Sequence, residues 1–76
     1  MKPPGADRQF SRALATALHT VRVKQGLTQR ELAERAGVRA ATVCKAEDDP
    51  ARLKVETLER IAAALGLTVV FQWRKL

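Results

Sequence analysis

The 76-residue chain carries 14 Lys and Arg against 8 Asp and Glu, a formal charge of +6, and 46% of it is hydrophobic. That length gives room for one small domain, marginal alone and helped by pairing with a second copy, and the hydrophobic share excludes a disordered tail. The charge points to a polyanionic partner, no apolar run approaches the ~20 residues a bilayer span requires, and the single cysteine, Cys44, excludes an internal disulfide and a cysteine metal cluster.

Residues 1–6, with two prolines and a glycine, read as a disordered arm. They lack the apolar stretch of a secretory leader, so the expected compartment is a reducing cytoplasm. A first helix is expected from Asp7 or Ser11, both possible N-caps, to Gln25. Its stripe is Phe10, Leu14, Ala17, Leu18 and Val21, recurring at spacings of three and four. Gly26 ends it. His19 lies beside the stripe without a second His or Cys at ligand spacing, which reads as a surface or boundary residue rather than a metal ligand or base.

Thr28 and Glu31 form a capping box: the threonine hydroxyl accepts from the Glu31 amide, and the glutamate returns to the Thr28 amide. The helix they start carries Leu32, Ala33 and Ala36 on one side and stops at Gly37, which takes the left-handed conformation without a Cβ penalty. Val38 follows as a buried plug, and a second short helix spans Ala40 to Glu47. Two short helices around a glycine turn make a helix-turn-helix arrangement.

Residues 48–54 form a connection through Asp48, Asp49 and Pro50, with Leu53 turned inward. A fourth helix, Val55 to Leu65, has the stripe Val55, Leu58, Ile61, Ala62 and Leu65, and acidic Glu56 and Glu59 near its positive end. Gly66 closes it. The tail from Leu67 to Trp73 is β-branched and aromatic, with Val69, Phe71 and Trp73 on one face of a period-two pattern. A strand needs a ladder partner and the sequence offers no second strand. The expected pairing is therefore with the same strand of a second copy around a two-fold axis, the alternative being a fifth short helix or a docked coil.

The stretch GLTQRELAERAGVRAATVCKAE, residues 26–47, resembles the Cro/repressor type of helix-turn-helix through LTQxELAxxAGV and a glutamate ten residues after the glycine. Together with the acidic–Pro step, the fourth helix and LGLTVVFQ, residues 10–72 are similar to the HipB-type antitoxins of bacterial toxin–antitoxin operons. The resemblance implies an all-α, compact four-helix repressor-like DNA-binding domain over residues 7–66. A C-terminal strand in residues 67–76 would then pair across a homodimer through Val69, Val70, Phe71 and Trp73.

The same resemblance implies a bacterial, nucleoid-associated repressor of its own promoter that binds an inverted-repeat operator and a HipA-like kinase toxin. A stand-alone or prophage-type regulator, and a protein-interaction module with residual DNA binding, are the alternatives. Carried onto this chain, the base-facing positions are Arg39, Ala40, Ala41, Cys44 and Lys45. Arg39 is suited to bidentate contact with guanine O6 and N7, and the two alanines give little but close approach or contact with a thymine methyl, leaving selection to DNA shape. Gln29 and Thr42 are phosphate anchors, with Lys24 and Arg30 as weaker ones, and Arg22 with Glu47 would form a structural salt bridge.

Three positions depart from the family pattern. Arg39 stands where a Ser or Thr N-cap is usual, Ala46 replaces a large apolar residue, and Cys44 replaces a serine. A thiol among basic residues can be redox-sensitive; an inert contact is the preferred reading. No cofactor is implied, and the absence of paired carboxylates, an activated nucleophile or a metal-ligand cluster argues against an enzyme.

Overall fold

The computed structural model describes residues 6–69, with side chains for residues 11–69. Four α-helices follow one another: α1 (Ala6–Lys24), α2 (Gln29–Ala36), α3 (Ala40–Asp48) and α4 (Val55–Ala64), with a 3-10 turn at Pro50–Arg52 between the last two. α1 begins at Ala6, inside the stretch expected to be an arm, and runs through both Asp7 and Ser11, so neither is its N-cap.

Side chains on α1 meet the body of the domain at spacings of three and four: Leu14, Ala15, Leu18, Val21 and Arg22 are buried or half-buried. Ala15, not Ala17, completes the stripe, and Ala17 is exposed. The two lie about 200° apart around a helix, and alanine's small apolar surface gives periodicity nothing to choose between them. The Phe10 side chain lies outside the described set.

The start and stop of α2 are written locally. The Glu31 N–H donates to Thr28 Oγ1 at 3.0 Å and the Thr28 N–H donates to Glu31 Oε1 at 2.9 Å, completing the capping box. The bond from the Thr28 backbone, with that from its hydroxyl second, holds the Glu31 carboxyl below its ordinary range. At the other end Gly37 has φ 70°, and the Val38 N–H turns back to the Ala33 carbonyl at 3.0 Å. This left-handed step sets the angle at which α3 leaves α2. Val38 is half-buried rather than a buried plug, packed against the core from its edge.

α3 extends one residue further than expected, to Asp48, and Asp49 leads into the 3-10 turn, whose Pro50 is buried. Leu53 is half-buried against the core. In α4, Leu58, Ile61 and Ala62 are buried and Leu65 at its C-cap is 4% exposed, whereas Val55 is 50% exposed. Val55 occupies the first helical position, where α4 has not yet come down onto the body, so it does not belong to the stripe.

One apolar cluster joins all four helices: Leu18 from α1, Leu27 from the first turn, Leu32 and Ala33 from α2, Val43 and Ala46 from α3, and Leu58, Ile61, Ala62 and Leu65 from the fourth helix and its cap. Full burial of a Leu, Ile or Val side chain contributes about 1.5–3 kcal/mol, so Leu32, Val43 and Ile61, each at 0% exposure, carry much of the fold. Gln25 adds a polar tie, its Nε2 donating to the Leu65 carbonyl at 2.8 Å across the join of α1 and α4. Residues 67–69 are irregular, with Val69 packed partly against the core, and no strand is present among the described residues. Val70, Phe71 and Trp73, expected in a dimerising strand, lie outside them.

Candidate nucleic-acid interface

α3 is two-sided. Its backbone rotates by about 100° per residue, which puts positions 40, 41, 44 and 45 on one side and 43, 46 and 47 on the other. Ala40, Ala41, Cys44 and Lys45 are exposed, as is Arg39 just ahead of them. Val43 and Ala46 are fully buried and the Glu47 side chain is 7% exposed. The five residues expected to face bases therefore form one accessible face. Thr42, expected to anchor a phosphate, is half-buried at its edge. Cys44 is a free, exposed thiol.

No side chain caps α3. Arg39 has the extended backbone of an N-cap (φ −79°, ψ 151°) but makes no capping hydrogen bond. Its guanidinium carries only donors, so it cannot accept from the helix amides. The first turn of α3 thus presents free N–H groups at the positive end of the helix dipole.

The buried side of α3 is held by a charged clamp. Arg22 Nε donates to Glu47 Oε2 at 2.6 Å and Nη2 to Oε1 at 2.9 Å, while Nη1 donates to the Leu27 carbonyl at 2.7 Å. One arginine on α1 thereby fixes both the end of α3 and the turn before α2. Burial opposes the Glu47 charge more than any other single influence, but hydrogen bonds from Arg22, His19 and Gln29, with the Arg22 charge, outweigh it and hold the carboxyl below its ordinary range.

Two further residues approach the clamp in ways the sequence did not indicate. His19 is exposed, as expected of a surface residue, and its Nδ1 also lies 2.8 Å from Glu47 Oε1, which makes it a partner of the clamp. Its place one turn before Arg22 on the same side of α1 was the available signal. Gln29, read as a phosphate anchor, directs its amide Nε2 toward the same Oε1 at 3.4 Å. Lys24 and Arg30 are exposed.

Among the described residues no group of three His, Cys, Asp or Glu is placed to hold a metal ion, and no helix is long and apolar enough to cross a membrane.

A helix-turn-helix family model matches residues 18–72. The chain belongs to the helix-turn-helix family. Its α2–turn–α3 unit supplies the helix-turn-helix proper, and α1 and α4 are its support. Among its relatives, antitoxin HigA1 of Mycobacterium tuberculosis is 42% identical over 59 residues, which are 78% of this chain but 40% of HigA1. Antitoxin HipB of Escherichia coli K12 is 36% identical over 56 residues, 74% of this chain and 64% of HipB. The helix-turn-helix chain thus spans less than two thirds of these relatives. A chain in the solved HipA–HipB–O2–O3 complex superposes with a TM-score of 0.76 at 32% identity, covering 86% of this chain and 92% of that one.

Proposed function

We propose that this helix-turn-helix chain is a homodimeric, sequence-specific DNA-binding repressor, the antitoxin of a HipBA-type operon that represses its own promoter and binds a kinase toxin. Its work is binding, not catalysis. The observation that carries the reading is the two-sidedness of α3: a basic-ended, accessible face of short side chains on a helix whose other side is locked by Val43, Ala46 and the Arg22–Glu47 clamp. Short side chains let a helix lie close in a major groove, and Arg39 and Lys45 supply the polar reach. The likeness to HipB and to a chain of the HipA–HipB–O2–O3 complex supports both the antitoxin role and a HipA-like partner.

The decisive experiment sequences the genomic DNA retained by the protein and titrates the recovered site with wild type and with Arg39→Ala plus Lys45→Ala. Selective binding of an inverted repeat with half-sites about 34 Å apart, lost in the double variant, is expected. Equal binding of every sequence by both proteins rejects specific recognition. Co-purification with a larger kinase-like protein from the native cell tests the toxin partner.

A further inference from the structure

We propose that His19 is a positioning residue that saturates Glu47 and so keeps the Gln29 amide free to clasp a DNA phosphate. The proposal rests on the DNA-binding reading above and deepens it.

Three potential donors converge on one oxygen atom, Glu47 Oε1: His19 Nδ1 at 2.8 Å, Arg22 Nη2 at 2.9 Å and Gln29 Nε2 at 3.4 Å. A carboxylate oxygen offers about two lone-pair sites, and two short, well-made bonds fill them. Because Glu47 is held ionised, it only accepts, so the histidine hydrogen sits on Nδ1. With that hydrogen in place Nδ1 cannot accept from Arg22 Nη2, 3.2 Å away, and that approach is packing rather than a bond. Gln29 is left as the surplus donor, at a distance where a hydrogen bond has lost most of its strength.

Gln29 is also the first residue of α2, at the positive end of the helix, and its amide carries two hydrogens. Only one of them is aimed at Glu47, and weakly. An amide so placed turns outward to an anionic oxygen with little to give up. Removing His19 opens a lone pair on Oε1, Gln29 then closes on Glu47, and the amide is withdrawn from the surface. His19 touches no phosphate in this scheme. It acts through Glu47.

The test uses the whole chain and a 30-base-pair random-sequence duplex at low salt, because a phosphate contact does not depend on sequence. Four variants are compared by fluorescence anisotropy: His19→Ala, His19→Asn, Gln29→Ala, and His19→Ala combined with Gln29→Ala. His19→Ala and Gln29→Ala should each weaken binding about three- to tenfold, the scale of one hydrogen bond, and the combination should be no weaker than Gln29→Ala alone. His19→Asn sets an amide N–H where Nδ1–H was and should bind like wild type; being uncharged, it separates the hydrogen bond from any histidine charge.

In parallel, the side-chain amide resonances of Gln29 are followed by NMR on the free protein. They should move in His19→Ala and stay in place in His19→Asn. Additive losses in the combined variant, wild-type binding by His19→Ala, or an unmoved Gln29 resonance would each overturn the proposal. A wild-type chain that binds no duplex would overturn the DNA-binding reading and phosphate as the partner of Gln29, while the amide resonance would still decide whether His19 holds Gln29 away from Glu47.

Discussion

Glu47 is charged in a place where burial works against charge, and the residues around it make the difference. Replacing it with alanine strands Arg22, whose side chain is only 11% exposed, and the expected loss is about 3 kcal/mol in a denaturant unfolding titration. The acid dependence follows from the same group. A carboxyl whose folded pKa is depressed contributes stability that is complete above its unfolded value and disappears as pH falls through the folded one. Melting temperature should therefore drop below the ordinary glutamate range near pH 4.5, and Glu47→Gln should flatten that drop while starting from a lower stability. Arg39 poses the opposite case, since it is exposed and bonded to nothing in the α3 cap. Arg39→Ser should raise stability by about 1 kcal/mol by restoring a cap and at the same time weaken DNA binding. Parallel melts and duplex titrations read the two effects separately.

At the scale of the element, α2 and its flanking turn were legible because their signals are local. A Thr–Glu pair at capping-box spacing and one glycine determine where that helix starts and stops, and both behave as their chemistry dictates. Gly37 gives a clean test. A Cβ built there meets nothing within 4 Å, and φ is 70°, so Gly37→Ala carries only the conformational penalty of the left-handed region, about 1–2 kcal/mol. An equilibrium unfolding curve checks this, and a loss well above that range would mean that the turn is also a packing site. What the sequence hid was tertiary. Ala15 and Ala17 are indistinguishable until α1 is set against its neighbours, and Val55 fits the α4 stripe by spacing while standing clear of the core. The His19 bond to Glu47 spans 28 residues, beyond the reach of any periodicity. The Arg22–Glu47 pair is similarly distant in sequence, and it was legible only through the family resemblance.

For the whole molecule, a net charge of +6 on 76 residues and the proposed dimer together set the response to salt. Neutralising six to ten phosphates should make affinity fall by roughly 10³–10⁵ between 50 and 200 mM salt. A filter or anisotropy titration across that range measures the slope, and Lys45→Ala should make it shallower by about one unit in log–log terms for each phosphate left unneutralised. Sedimentation at micromolar concentration tests the dimer directly, and a chain that remains single with and without a palindromic duplex rules it out. The +6 charge belongs to the composition and was plain from the start. The pairing of copies expected through Val69, Val70, Phe71 and Trp73 falls mostly on residues outside the described ones, so the solution measurement carries that question.

The two sides of α3 answer to different demands, and this bears on how such a domain diverges. Ala40, Ala41, Cys44 and Lys45 can be exchanged without replacing Val43, Ala46 or Glu47, because all four are exposed and stand outside the apolar cluster. On the proposed reading of α3 as the base-facing helix, a lineage carrying this scaffold can move from one target sequence to another through single replacements that leave folding intact. Duplicated copies would then acquire separate targets sooner than they lose solubility or shape.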